Sequence, residues 1–561
     1  MSTRQSFLEA SARERVRALL DPHSFHELCP PSERLVSPHL AQLSLSQAFD
    51  DGIVTGTGLL SGQKVLIAAQ EGRFNGGSVG EIHGAKLVGL LHAAILQKPA
   101  AVLLLIDSGG VRLHEANAGI IAISEIARAI LDVRAERIPV LVMLGGSCGA
   151  FGGMGIMVRL CHSVFMSEEG RLSLSGPEVI ETVMGRDEFD SKDRALVWRI
   201  TGGKLRRALG EIDQLVDDDV VAFRNAAADW LKEQPASGLA PLSHQDLCLR
   251  QETLLARSAE FVNTQDGREI LAQRLSINEN QWTLANSYEF EKALNQTESA
   301  LTQIHLDAWK EGLHDLNTED QAFADRLFGP GQHQLQYSDY FVVGKAQTLQ
   351  GSVHVIGTRD RAPIGMDVAL KLSGAVLAAI ADDQNRSAPL PIVMISDTQG
   401  QLLSRHDELL GLNGTLAHVA LCVDLARRSG HRLITLIRQE AVSGGFLSFG
   451  MLGDRICALP DSQVRVMDLR AMARVTKIPL ERLEGLAKQS AVFAPGAENY
   501  VRLGGVHEQW TIEQDWVEAL ALALDHCSAV DERSTLGAKR GGRHLAASVA
   551  ERVKQQALAF A

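Results

Sequence analysis

A chain of 561 residues, 45% apolar and 22% charged, is long enough for two to four domains with large cores. Its formal charge of −13 argues against a nucleic-acid surface spread over the whole molecule. Seven scattered cysteines with no CxxC spacing argue against a disulfide framework or a zinc ribbon, predict no metal site, and fit a cytoplasmic location.

The N-terminal MSTRQSFLEASARERVRALL reads as an amphipathic surface helix without the apolar core of a signal peptide. KVLIAAQ (64–70) is a strand signal, and EGRFNGGSVGEIHGAKLVGLLHAAI is a glycine turn running into a helix. The strand AAVLLLIDSGG (100–110) follows, its apolar run far too short to span a bilayer. A helix pattern covers 116–136, then the strand IPVLVML (138–144), the glycine-rich LGGSCGAFGGMG (144–155) and SVFM (163–166). Residues 240–300 are polar and glutamine-rich, and predict exposed helices between two domains. The expected division is an N-terminal domain 1–240, a helical linker 241–300 and a C-terminal domain 301–561.

The second half repeats the first. SVHVIGT (352–358) and LPIVMISDTQG (390–400) are strands, with the turn and helix RAPIGMDVALKLSGAVLAAI between them. The helix pattern around 414–428, the strand RLITLIR (432–438) and EAVSGGFLSFGMLG follow. Lys86-Leu87 aligns with Lys371-Leu372 at an offset of 285, Asp107 with Asp397 at 290, and Gly152-Gly153 with Gly444-Gly445 at 292. So small a drift argues for duplication, and alternating strands and helices predict an α/β fold. AKRGGRH (538–544) reads as a mobile or carrier-facing basic tail, or simply as a solvated end.

The glycine-rich segment admits three readings. A phosphate cradle needs a Walker lysine or a full GxGxxG, and neither is present. Gly145-Gly146-Ser147-Cys148-Gly149 matches the GxSxG nucleophile elbow, but no downstream histidine or acid is marked as its partner. The third reading uses backbone: glycines at a helix start expose N–H groups to a developing oxyanion. The pair Gly109-Gly110, one strand earlier, could supply a converging donor.

FNGGSVGEIHGAK (74–86), IDSGGVRLHE (106–115) and the GAFGG run resemble the carboxyltransferase domains of acyl-CoA carboxylases. DTQGQLLSRHDELLG (397–411) and EAVSGGF (440–446) resemble the matching C-domain more loosely. Overall the chain is similar to the β and γ subunits of malonate decarboxylase joined in one polypeptide. The resemblance implies two duplicated crotonase-like ββα-spiral domains. It also implies decarboxylation of a malonyl thioester carried on the CoA-derived thiol arm of an acyl carrier protein. A malonate/acetyl transferase subunit and an oligomeric complex would complete the system, with neither membrane nor nucleic acid as partner. No biotin-attachment Met-Lys-Met and no ATP loop occur, so no biotin and no covalent cofactor are expected. A biotin-dependent carboxyltransferase and a Ser147 thioester hydrolase are the alternatives.

On this reading the thioester oxygen meets backbone N–H groups from Gly109, Gly110 or Val111 and from Gly152 or Gly153. The resemblance implies a second hole around Gln399, Gly400, Gly444 and Gly445, whose counterpart in a carboxyltransferase would hold the biotin ureido oxygen and which here could hold the malonyl carboxylate. His114, Glu115 and His406 are candidate proton donors beside water, and Arg73, Lys86 and Arg112 candidate contacts for the carrier's arm.

Overall fold

The computed structural model describes residues 5–275, 286–295 and 306–560. Parts of the expected linker, 276–285 and 296–305, lie outside the described residues. Two sheets carry the chain. The first has seven strands in sequence order, antiparallel at its start and parallel from Gln63–Gln70 onward. Within it, Ile53–Leu60 and Gln63–Gln70 form a hairpin, followed by Ala101–Ile106, Val140–Leu144 and Ser163–Met166. The second sheet has ten strands and repeats the plan. The hairpin Phe341–Thr348 and Gly351–Thr358 leads to the parallel strands Ile392–Gln401, Leu433–Val442 and Arg455–Ala458.

Strand alternation separates two faces in each half. Val65, Ile67, Leu103 and Leu105 face an outer layer made with Phe7, Val16 and Phe223. Val353, Val355, Val393 and Ile395 face the equivalent outer layer, with Phe328, Trp516 and Leu520. The opposite faces, including Leu66, Leu104, Ile356 and Met394, join one continuous core that both halves share. The helix Gly152–Val158 of the first half packs there on Leu412–Arg428 and Ser443–Ser448 of the second.

Two expectations need correction. The C-terminal segment is docked, not a mobile tail. Helix Ala546–Ala559 lies along Glu81–Gln97 so closely that a side chain at Gly89 would strike the Ala550 carbonyl. Arg543, fully buried, pairs with Glu125 at 2.9 Å. Nor is the start of the linker an exposed connector. In helix His244–Glu260, Leu247, Gln251, Leu254 and Arg257 are buried, and Gln251 Nε2 donates to the Leu370 carbonyl at 2.8 Å. The apolar spacing of that helix is diluted by Gln251 and Arg257, which are buried with partners.

Candidate functional site

Each half ends its second parallel-sheet strand in the same turn. After Ala101–Ile106 the chain runs Asp107-Ser108-Gly109-Gly110-Val111, with Gly110 at φ +100°. In the second half Asp397-Thr398-Gln399-Gly400-Gln401 occupies that place, with Gly400 at φ +106°. The hydroxyl two residues earlier accepts the glycine N–H in both: Gly110 to Ser108 Oγ at 3.1 Å, Gly400 to Thr398 Oγ1 at 2.9 Å. The preceding aspartate accepts from the neighbouring loop in both as well, Cys148 N–H to Asp107 at 2.7 Å and Glu440 N–H to Asp397 at 3.1 Å.

The helix before each turn is capped the same way. Glu115 accepts the N–H of Glu81 at 2.8 Å, and Asp407 that of Met366 at 2.9 Å. A side chain at Gly80 or Gly365 would collide with those carboxylates, with separations of 2.5 and 2.7 Å. The fixed glycine at each helix start makes room for a cap supplied by another segment.

The glycine-rich helix starts are offset by one residue from the sequence alignment. Ser108 bridges Ala150, and Thr398 pairs with Ala441. The left-handed position at the helix start is Gly152 (φ +56°) in one half and Ser443 (φ +48°) in the other. Gly153 therefore corresponds to Gly444 and not, as aligned, to Gly445. Two adjacent glycines made the shifted register look equally good in the sequence.

Backbone hydrogen bonding sorts the candidate donors. Gly109 donates to the Gly76 carbonyl at 2.8 Å, Gly110 to Ser108, and Gly152 to the Leu174 carbonyl at 2.6 Å. Val111 and Gly153 N–H have no acceptor among the described residues. Their turns touch: a side chain on Gly110 would meet the Phe151 carbonyl oxygen at 2.8 Å and Gly152 Cα at 3.1 Å. In the second half, Gln399 donates to the Arg361 carbonyl at 3.4 Å, and Gly444 donates to Oε1 of the Gln401 side chain at 3.0 Å. Gly445 N–H has no acceptor among the described residues, but a side chain there would press on Ile364 and Thr398 at 2.8 Å.

A short loop links the two turns. Leu174 holds Gly152, and Ser175 Oγ lies 3.4 Å from Gln401 Nε2. Glu408, fully buried on the second half, accepts from Ser173 Oγ and from the N–H groups of Leu174 and Ser175, the last two at 2.8 and 2.6 Å. Burial pushes its carboxyl up against the pull of these donors. Sequence reading missed Glu408 and the Gln401 side chain. Aligning Gly110 with Gly400 would have placed Gln401 opposite Val111; nothing marked Glu408.

The structure corrects two of the three charged candidates for the carrier's arm. Lys86, fully buried, donates to the carbonyls of Cys29, Asp50 and Ile53 at 3.2, 3.3 and 2.8 Å. Arg112, also fully buried, is held by Asp51 at 2.8 Å and Glu115 at 2.9 Å. Neither reaches a solvent-borne phosphate. Glu115 is consumed by the same pair and the helix cap. Arg73 is exposed and donates to the Glu9 carbonyl at 2.6 Å.

His114 follows the first turn, half-buried, and burial and the Arg112 charge push its imidazole down, which disfavours a protonated donor at neutral pH. His406 lies 3.0 Å from the Phe261 carbonyl, on the wall of a cavity of about 1000 Å³ that Asp407 and Lys371 also line. The Asp407 carboxylate, 3.9 Å from the His406 ring, raises it. Ser147 Oγ has only Cys148 Sγ near it, at 3.9 Å, so no hydrolytic base is assembled among the described residues. His162 instead accepts Val140 N–H, and burial drives it down to about 3. No cluster of metal-ligating side chains and no helix long and apolar enough to cross a membrane occur among the described residues.

The family model of the carboxyl transferase domain matches residues 9–243, and that of the malonate decarboxylase gamma subunit matches 359–557. Two curated relatives come from Malonomonas rubra. The malonyl-S-ACP:biotin-protein carboxyltransferase MADC is 42% identical over 41% of this chain and 76% of its own length. Its counterpart MADD is 30% identical over 43% of this chain and 89% of its own. A Pseudomonas malonate decarboxylase hetero-tetramer crystallised with malonate is 40% identical over 48% of this chain and 96% of that one, with a TM-score of 0.44.

Proposed function

This chain belongs to the malonate decarboxylase branch of the carboxyltransferase family, with β-type and γ-type halves in one polypeptide, and from that premise we propose that it decarboxylates a malonyl thioester to the acetyl thioester and CO2. One observation carries the reading: Val111 and Gly153 N–H, on two touching turns, have no acceptor among the described residues. As the bond between the α-carbon and the carboxyl breaks, its electrons form an enolate with charge on the thioester oxygen. Donors fixed at that oxygen stabilise the transition state more than the substrate, by about 3–4 kcal/mol for one such group. The α-carbon then takes a proton, and solvent water is the better donor given the lowered His114. The substrate rides on an acyl carrier protein's thiol arm, and a transferase subunit reloads it, within an oligomeric cytoplasmic complex.

A second reading is transfer of the carboxyl to protein-bound biotin, the activity in the names of the two Malonomonas relatives. Against it stands the Gly444 donor, already taken by Gln401. Purified chain with malonyl-carrier protein and no biotin separates the readings. CO2 with an intact acetyl thioester supports decarboxylation; turnover that requires biotin supports transfer; malonate with free thiol supports hydrolysis.

A further inference from the structure

The duplicated turns differ at one chemically decisive position. The residue after the left-handed glycine is Val111 in the first half, whose side chain accepts no hydrogen bond. In the second half it is Gln401. Its Oε1 lies 3.0 Å from the Gly444 nitrogen and accepts that N–H, while its Nε2 faces Ser175 Oγ at 3.4 Å. Both ends of the amide are thereby oriented. Gln401 is half-buried on the wall of a cavity of about 550 Å³, which Met184 of the first half and Ser443 and Arg465 of the second also line. The space beside the donor is open; the donor itself is occupied.

We propose that Gln401 is a specificity-determining residue that closes the second turn with its own amide oxygen. The Gly444 N–H then has no room for an external carbonyl such as that of a cyclic urea. With no acceptor molecule seated there, the carboxyl released from the thioester departs as CO2. This inference rests on the decarboxylase reading for its meaning but not for its test. The physical basis is competition. An external carbonyl must break the Gln401–Gly444 bond and leave a half-buried amide oxygen unpartnered, which costs binding free energy. The internal acceptor also acts at a high effective concentration because it is tethered.

Free biotin, a cyclic urea, is the probe. It is titrated calorimetrically into the full chain with no thioester present, so failure to decarboxylate leaves the readout intact. Gln401→Val copies the first half, and Gln401→Ala serves if that variant folds poorly. Both are expected to bind biotin at least about tenfold more tightly than the unsubstituted chain, which corresponds to roughly 1.4 kcal/mol. Gln401→Glu retains an acceptor for Gly444 and is expected to bind no better than the unsubstituted chain. Equal biotin affinity in the unsubstituted chain and both opened variants would overturn the proposal, as would tightened binding in Gln401→Glu.

Discussion

The turn at Ser108–Val111 and the turn at Thr398–Gln401 share a strand end, a left-handed glycine, a hydroxyl that holds it and an acid-capped helix nearby. They differ in what their neighbouring helix presents. Among the described residues the first leaves Gly153 N–H without an acceptor; the second covers the matching Gly444 N–H with Gln401. Duplication thus supplied two copies of one scaffold, and a single side chain separates a donor that is free from one that is filled. Backbone geometry alone does not make a site, because what the donor already holds decides its availability.

The comparison breaks most severely at Gly153. A side chain there would press on Ile123 and, across the halves, on Leu447, each at 2.7 Å. Gly153→Leu is expected to lower kcat by about 10²–10³, the scale of losing one oxyanion donor. Decarboxylation within tenfold of the unsubstituted rate would remove Gly153 from the site.

Glu408→Ala tests the loop that joins the two turns. It strands the N–H groups of Leu174 and Ser175 and the Ser173 hydroxyl in a buried place. Stability in urea should fall by about 2–4 kcal/mol, and kcat should drop with little change in KM because Leu174 no longer positions Gly152.

A smaller effect concerns pH. The first residue of the capped helix is Glu81 in the first half, where it meets His39 at 2.7 Å, but Met366 in the second. Burial alone would lower His39, yet the Glu81 hydrogen bond and the Glu115 charge raise it above the ordinary 6.5. The stability from this pair is present below pH 6.5 and lost as pH rises through the raised value. Urea midpoints on either side of that range should differ, and His39→Gln should flatten the difference. A midpoint that rises with pH through that window would contradict the assignment. Ser147→Ala should change turnover by less than about twofold, since Ser147 Oγ has no base beside it among the described residues.

Much of the scaffold was legible in the sequence, because strands alternating with helices impose periodicity and the glycine turns recur at nearly fixed spacing. Asp107 and Asp397 aligned because each ties its turn to the neighbouring loop. The site was legible only in outline. Lys86 and Arg112 look like surface charges until their buried carbonyl and carboxylate partners, distant in sequence, are known. The tail AKRGGRH looks solvated for the same reason, since Glu125 lies far away in the chain. A glycine pair cannot fix its own register, so Gly153 was set against Gly445 until strand pairing moved it to Gly444.

The most direct measurement makes one substitution in each half and compares decarboxylation of malonyl-carrier protein. Gly110→Ala forces a side chain against the Phe151 carbonyl oxygen at 2.8 Å and Gly152 Cα at 3.1 Å, where the two turns that carry the Val111 and Gly153 donors touch. Gly400→Ala imposes similar backbone strain at φ +106°, but its nearest neighbour, the Val442 carbonyl oxygen, is 3.4 Å away and the donor beyond it is filled. The account predicts a loss of at least about 10² in kcat for Gly110→Ala and less than about tenfold for Gly400→Ala, with both variants folded. Equal losses in the two halves, or a greater loss in the second, would contradict it.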